Sequence, residues 1–143
     1  MKIRQISLFL ENRKGRLHDV CSLLGEKRIN IRALTIAETD EFGVLRMVVD
    51  SPDEAVDVLK EKGFVATVTE IVAVEVDDRP GGLARVLSVV TESGLNIEYM
   101  YGFVEKKSDR ALMVFRFDDP DKAVKLMKEN DVPVIGQQEI KSL

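Results

Sequence analysis

The chain has 143 residues, of which 45% are apolar and 32% are charged, and its net charge is −4. This composition is that of a folded globular protein with enough apolar side chains for a core, and the single Cys21 excludes an intrachain disulfide. The acidic balance argues against nucleic acid and anionic membrane surfaces as partners.

The chain opens with a predicted strand and a predicted helix that are joined by a glycine turn. Apolar residues alternate from Ile6 to Leu10, which is typical of a strand with one buried face. Gly15 follows in the turn. The apolar stripe of the helix then consists of Leu17, Val20, Cys21 and Leu24. Their spacing of three and four residues predicts a helix that packs one side against a sheet.

A hairpin, a second helix and a short strand complete the first half of the chain. Two apolar segments flank a polar loop at residues 39–43, which indicates a hairpin. Ser51 and Pro52 are favourable residues at a helix start, and Ser51 with Glu54 predicts a capping box. Residues 66–69 are predicted to form the last strand. The first half is therefore a strand, helix, strand, strand, helix, strand unit.

The second half of the chain repeats this unit. The stretch ENRKGRLHDV at residues 11–20 returns as DDRPGGLARV at residues 77–86. The polar loop of the second hairpin is predicted at residues 106–110, and the second helix is predicted to begin after Asp119. The last strand of this half is predicted at residues 136–140. A repeat of this length indicates two small domains rather than one.

The first helix of each half differs at its end. Gly94 suits the left-handed backbone conformation that ends many helices, whereas Arg28 stands at the matching position of the first half. Because a residue with a side chain is strained in that conformation, Arg28 indicates either local strain or another type of helix ending.

The element order predicts an α+β protein built from two ferredoxin-like βαββαβ repeats, each an antiparallel sheet with two helices on one face. We expect one domain at residues 1–70 and the other at residues 71–143. Both alternating sets of side chains in NIEYMYGF, residues 96–103, are largely apolar, so we expect the second face of that sheet to be covered as well. We therefore expect the sheets of the two domains to pair and the chain to form a homodimer.

The glycine turn and a downstream asparagine are the candidate binding elements of each repeat. Backbone amides at a helix start lack internal partners and lie at the positive end of the helix dipole, which favours carboxylates and phosphates. Asn30 and Asn96 each precede the second strand and offer an amide to an ammonium or a carboxylate. A purely structural turn and a helix-stop asparagine are the alternatives, because duplication copies structural features too.

Both halves resemble the ACT domain, a small-molecule-sensing module attached to many amino-acid biosynthetic enzymes. The resemblance lies in DDRPGGLARVLSVVTESGLNI (Asp77–Ile97) and, more loosely, in ENRKGRLHDVCSLLGEKRINI (Glu11–Ile31), and it covers nearly the whole chain. In the serine-sensing members, a polar loop residue and the Asn of Asn-Ile hold the effector amino acid between two paired domains. The resemblance maps these two residues onto Asn12 and Asn30 in the first half and onto Asp78 and Asn96 in the second. With the glycine turns and their neighbours included, we expect the ligand-binding residues to be Asn12, Arg13, Lys14, Gly15, Arg16, Leu17, Asn30 and Ile31 in the first half, and Asp78, Arg79, Pro80, Gly81, Gly82, Leu83, Asn96 and Ile97 in the second.

The sequence departs from that family pattern at several positions. The loop histidine of the serine-sensing members falls at Leu10 and Val76, whose side chains form no hydrogen bonds, so the effector need not be serine. Lys14 replaces the usual proline, and Asp78 would repel a carboxylate, so the two loops need not bind alike. The residues Tyr99, Met100 and Tyr101 favour an effector with an apolar or aromatic side chain, with plain interface packing as the alternative.

These features predict a non-enzymatic, cytoplasmic regulatory protein that binds a free amino acid and acts on an amino-acid biosynthetic enzyme in trans. We expect no cofactor, metal, nucleic acid or membrane partner, no signal peptide and no catalytic domain. His18 and Cys21 are too few ligands for a zinc site. Two alternatives remain on the same fold: an acylphosphatase-like hydrolase with Arg13 or Arg79 as electrophile, and an RNA-binding or purely structural module.

Overall fold

The computed structural model describes residues 1–38, 41–105 and 109–143. The chain forms two compact units. The N-terminal unit is Arg4–Thr69, and the C-terminal unit combines Met1–Ile3 with Glu70–Leu143. Both predicted hairpin loops extend beyond the described residues, at positions 39 and 40 and at positions 106–108.

The N-terminal unit has the predicted strand and helix order. Its elements are β1 (Ile3–Glu11), α1 (Arg16–Glu26), β2 (Ile31–Glu38), β3 (Phe42–Val49), α2 (Pro52–Glu61) and the first part of β4 (Val65–Asp77). The strand β3 lies between β1 and β2 and is antiparallel to both, and β1 also neighbours β4. One face of β1 packs in a core with both helices, through Ile6, Leu8, Val20, Leu24 and Leu59. Both helices therefore cover one face of the sheet, as predicted.

The C-terminal unit repeats this arrangement. Its elements after β4 are α3 (Gly82–Ser93), β5 (Ile97–Gly102), β6 (Arg110–Phe117), α4 (Pro120–Glu129), β7 (Val134–Ile135) and α5 (Gln137–Ser142). The strands lie in the order β7, β4, β6, β5, and each pair is antiparallel. The core joins β4 to the helices through Val72, Val74, Val86, Val90 and Met127. Two ferredoxin-like repeats are thereby confirmed, and Leu112 and Val114 on the other sheet face are buried too.

The N-terminal residues that belong to the C-terminal unit are held there by charge. The Lys2 amine lies 2.9 Å from a carboxylate oxygen of Asp121 and 3.2 Å from one of Glu70. These contacts, Asp121 first, raise the pKa of Lys2. Lys2, Glu70 and Asp121 therefore form an ion-pair network within the C-terminal unit.

One predicted strand was wrong in its bounds, and another was wrong in its type. The strand predicted at residues 66–69 continues without a break into the next one, and both form the single strand β4. The strand predicted at residues 136–140 is instead the helix α5, preceded by the short strand β7. Gly136 precedes this helix in an extended conformation, and its N–H donates to the Glu139 carboxylate at 3.4 Å. A carboxylate three residues into a helix satisfies such an open amide, which explains the helix start.

The helix stripe and the capping box of the first half also differ from their predictions. Val20 and Leu24 are buried, but Leu17 is exposed and Cys21 is only half-buried, because Leu23 turns into the core in their place. Ser51 occupies the N-cap of α2 as predicted, yet its side chain makes no capping hydrogen bond, so the predicted box with Glu54 does not form. The predicted cap of α4 does form: Asp119 accepts from the Lys122 N–H at 3.1 Å.

The first helix ends with a strained backbone conformation at Arg28, and not with another type of helix ending. Its φ is 59°, in the same left-handed region as Gly94 with φ 78°. The Arg28 N–H donates to the Gly25 carbonyl, and the Ile29 N–H donates to the Leu24 carbonyl, a pattern that ends many helices. The helix end therefore keeps the geometry for which glycine is preferred.

We expect Arg28→Gly to raise the free energy of unfolding by about 0.5–1 kcal/mol. Relief of the left-handed strain, about 1–2 kcal/mol, exceeds the greater chain entropy of glycine in the unfolded state. The matched control is Lys27→Gly, since Lys27 has φ −90° and no strain to relieve, so this variant should be less stable. Urea unfolding measures both, and an equal loss in the two variants would contradict the strain.

Candidate ligand-binding corners

The two glycine turns have the same backbone geometry. We call residues 11–18 the first corner and residues 77–84 the second corner. Gly15 and Gly81 are both left-handed, with φ of 91° and 85°, and each is the N-cap of the following helix. The Arg13 N–H donates to the Glu11 carbonyl at 2.8 Å, and the Arg79 N–H donates to the Asp77 carbonyl at 2.9 Å. The two corners therefore turn the chain from strand to helix with the same backbone conformation.

Each corner leaves helix amides open. A glycine N-cap has no side chain with which to accept from them, and neither helix has a side-chain cap. Within the described parts of the chain, the N–H groups of Leu17 and His18 at the first corner have no acceptor, and the same is true of Leu83 and Ala84 at the second. Such amides at the positive end of a helix dipole attract an anion.

The first corner opens into a cavity of about 290 Å³. The residues that line it are Leu10, Glu11, Asn12, Arg13, Gly15, Arg16, Leu17, His18, Ile36 and Gly43. Among the described residues, its charged lining consists of Arg13, Arg16 and Glu11. Leu10, Leu17 and Ile36 supply an apolar wall beside the open amides. The cavity therefore offers a positive end for an anion and an apolar end for a side chain.

Both arginines of the first corner contact neighbouring side chains. The Nε of Arg13 lies 2.9 Å from a carboxylate oxygen of Glu11, and both side chains are well exposed. The guanidinium of Arg16 lies 4.5 Å from the ring centre of Phe64 and 3.4 Å from Asp19. Stacking on an aromatic ring fixes the guanidinium without neutralising it.

The second corner is occupied by its own ion pairs. The residues that line its cavity of about 310 Å³ are Asp77, Asp78, Arg79, Asp109 and Arg110, three acids against two bases. Asp77 pairs with Arg110 and, at 3.3 Å, with Arg79. Arg110 also lies 3.1 Å from Glu75, a buried carboxylate. The arginines of this corner are thus paired to carboxylates of the protein itself, and the described residues that line its cavity are all charged.

Asn30 and Asn96 lie at the opposite end of their sheets from the corners. Strand β2 begins beside the end of β3, where Ile31 pairs with Val49, whereas the first corner follows the pairing of Glu11 with Phe42 at the other end of β3. Seven residues of strand separate the two ends, about 24 Å. The backbone N–H of Asn30 donates to the Asp50 carboxylate at 3.1 Å. Asn96 and Asp118 repeat this contact in the second half.

Within one repeat, the corner and the asparagine are therefore too far apart to contact the same small ligand. Of the other residues predicted for the site, Ile31, Ile97 and Leu83 pack against the cores of their own units. Lys14, Pro80, Gly81 and Gly82 lie in the corners but do not line the cavities there.

Sequence reasoning missed the hairpin residues at both corners. Ile36 and Gly43 reach the first corner because Gly43 pairs with Leu10 across the sheet. At the second corner, Arg110 reaches Asp77 because these two residues pair between β6 and β4. These hairpin residues could have been found from the predicted register of the paired strands, but not from a sequence motif.

The comparison with protein families agrees with this geometry. A family model for an ACT domain pair matches residues 1–143. The chain belongs to the ACT domain pair family. A search of curated proteins gave no match.

Solved structures show the same fold. Protein BT0572 from Bacteroides thetaiotaomicron is 38% identical to this ACT domain pair, with 100% of this chain and 98% of that chain covered and a TM-score of 0.93. The ligand-free regulatory subunit of aspartate kinase from Thermus thermophilus is 21% identical, with coverages of 88% and 91% and a TM-score of 0.62. Aspartokinase III of E. coli, in complex with lysine and aspartate, is 19% identical with a TM-score of 0.52. The match covers 90% of this chain and 31% of the aspartokinase chain.

Helix α1 also carries a thiol, Cys21, and an imidazole, His18. Burial raises the pKa of the Cys21 thiol, which disfavours the reactive thiolate. His18 is exposed on the same helix. In the described ranges, no three His, Cys, Asp or Glu side chains come together to hold a metal ion. Likewise, no helix in those ranges is long and apolar enough to cross a membrane.

Proposed function

We propose that this ACT domain pair is a non-enzymatic regulatory protein that binds a free α-amino acid. The single observation that carries the proposal is the first corner, where open amides at a helix start and an apolar wall meet in one cavity. The effector carboxylate is accepted by the N–H groups of Leu17 and His18 at the positive end of the helix dipole. The effector side chain lies against the apolar wall. A cavity of this size suits a small metabolite.

The ammonium of the effector requires an acceptor that the corner itself does not supply. Asn30 and Asn96 are exposed at strand starts and carry amide oxygens. Because each lies far from the corner of its own repeat, we propose that the asparagine comes from another ACT repeat in a homodimeric assembly. Effector binding then favours the assembly in which corner and asparagine meet, which is how the site transmits a signal.

The proposed target is an enzyme of amino-acid biosynthesis, reached in trans. Support comes from the fold shared with the regulatory subunit of aspartate kinase and from the family membership. The hydrolase alternative requires an arginine available to an acyl phosphate. Arg13 is paired to Glu11 and Arg79 to Asp77, which weakens that alternative.

Thermal unfolding with each of the common amino acids tests the proposed function. An effector at about 100 times its Kd adds about 2.7 kcal/mol of stability, so at least one amino acid is expected to raise Tm by several degrees. The control is the amine that corresponds to this amino acid without its carboxylate, which should leave Tm unchanged. No shift with any amino acid at millimolar concentration would contradict effector binding, and turnover of acetyl phosphate would favour the hydrolase.

A further inference from the structure

The sheet of the first repeat exposes two aromatic rings on its open face, the face turned away from α1 and α2. Phe9 on β1 and Phe42 on β3 are 54% and 50% exposed, and both alternate with residues of the core. Phe9 pairs with Val44, and Val44 pairs with Ala37, so these three side chains form one row across the sheet. Phe42 lies one row further along β3, about 7 Å from Val44. We call Phe9, Ala37, Phe42 and Val44 the apolar patch.

The fold does not require apolar side chains at these positions. Glu75 of the second repeat stands where the first repeat has Phe9, because the strand registers match. Arg110 likewise stands where the first repeat has Phe42. The Nε of Arg110 lies 3.1 Å from a carboxylate oxygen of Glu75, so the second repeat fills these positions with an ion pair. Half-exposed aromatic rings at the same positions of the first repeat therefore indicate a contact with another molecule.

The apolar patch and its surroundings have the composition of a protein–protein interface. Two half-exposed aromatic rings present on the order of 200 Å² of apolar surface. A stable interface buries roughly 800 Å² on each partner, with an apolar centre and a polar rim. Ser7, Arg46 and Thr35 form the next row on one side of the patch, and Glu11 pairs with Phe42 on the other. The patch therefore supplies the centre, and these polar residues supply the rim.

The charges of the rim favour one orientation of a second copy. Glu11 lies at one end of the patch and also contacts Arg13, while Arg46 lies at the other end. If two copies stack these faces about a two-fold axis that runs across the strands, the rows of one copy oppose the rows of the other in reverse order. Arg46 then lies over the partner's Phe42 and beside the partner's Glu11, which combines a cation–π contact with an ion pair. An axis along the strands would instead place arginine over arginine.

We propose that the open face of the first repeat is an interface between two copies of this chain. The apolar patch forms its centre, and Glu11 and Arg46 fix the orientation with the strands of the two copies antiparallel. The partner is a second copy because one face carries both members of each rim contact and so complements itself. The proposal concerns the assembly and not the effector, so it holds with or without a bound amino acid.

Sedimentation equilibrium of the full chain without added amino acids tests the interface. The unmodified protein is expected to be a dimer, and Phe9→Glu is expected to weaken dimerisation at least about a hundredfold, because a carboxylate then lies in the apolar centre. This variant is expected to fold, since Glu75 occupies the same position of the second repeat, and circular dichroism checks this. The matched control is Val65→Glu, which changes a residue of β4 that is 62% exposed and lies outside the patch, and it should leave the dimer unchanged.

A charge exchange at the rim tests the orientation. Arg46→Glu should weaken the dimer, and the double variant Arg46→Glu with Glu11→Arg should restore it. A double variant as weak as Arg46→Glu alone would overturn the orientation.

The outcomes separate this interface from the proposed function. A dimer that Phe9→Glu leaves intact, or an equal loss in Val65→Glu, would overturn the interface alone. A monomeric unmodified protein would overturn both the interface and the homodimeric form of the proposed site. Effector binding itself is measured by the thermal shifts, which do not depend on the face through which two copies meet.

Discussion

Gly82→Ala is expected to lower the free energy of unfolding of the C-terminal unit by roughly 3 kcal/mol, the upper part of the range for an overpacked site. The added methyl group meets the backbone carbonyl of Asp77 rather than a flexible side chain. That carbonyl also accepts the Arg79 N–H that shapes the turn, so it moves only if the turn is lost. Urea unfolding followed by circular dichroism measures the loss.

The matched control for Gly82→Ala is Arg16→Ala at the equivalent helix start of the first corner. A Cβ is already present there, so this variant loses only the stacking on Phe64 and an ion pair with Asp19. The expected cost is about 0.5–1 kcal/mol. If Gly82→Ala proved no more costly than Arg16→Ala, the close approach of loop and helix at the second corner would be wrong.

The features that were predictable from the sequence depend on short local patterns, and each of these patterns occurs in both repeats. Gly15 and Gly81 require a left-handed conformation at a strand-to-helix turn, and both have it. The alternation at Ile6 and Leu8 and its repeat at Val72 and Val74 place one sheet face in a core, because a period of two leaves no other choice. A local pattern that occurs in both repeats predicts the same local structure twice, so the prediction for one repeat supports the prediction for the other.

The features that were not predictable depend on which strands pair and in which register. Arg110 is distant in sequence from Asp77, and only the antiparallel register of β6 on β4 makes them neighbours. Ile36 joins the first corner for the same reason. The helix α5 was missed because Gly136 was interpreted as a strand residue, although Glu139 stands where it satisfies the glycine N–H.

The difference between the corners was only partly visible in the sequence. Asp78 in place of Asn12 predicted that the two loops need not bind alike. The ion pairs that occupy the second corner involve Arg110 from a distant strand, and the apolar wall of the first includes Ile36 from its own hairpin. Tyr99 and Tyr101, which favoured an apolar effector from the sequence, line neither corner cavity, so Leu10, Leu17 and Ile36 now carry that argument.

Phe115→Ala is expected to cost the C-terminal unit about 3–5 kcal/mol, the range for deletion of a buried aromatic ring. Phe115 is fully buried, and its ring stacks on that of Phe117 with 5.5 Å between their centres. Its core joins β4 and β6 to the helices, and β6 begins at Arg110, which pairs with Asp77 at the second corner. Loss of the ring should therefore loosen the second corner as well as the core.

Met47 occupies the equivalent position of β3 and provides the reciprocal variant. It is fully buried in the core of the N-terminal unit, so Met47→Ala should cost about 2–5 kcal/mol in that unit. Native-state hydrogen exchange separates the two cases, because each core is local to one unit. Phe115→Ala should deprotect amides of β4 residues 72–76 and β6, while Met47→Ala should deprotect β1 and β3 and weaken effector binding at the first corner. Uniform loss of protection along the chain in both variants would mean that the two ACT repeats unfold as one cooperative body, which would contradict this prediction.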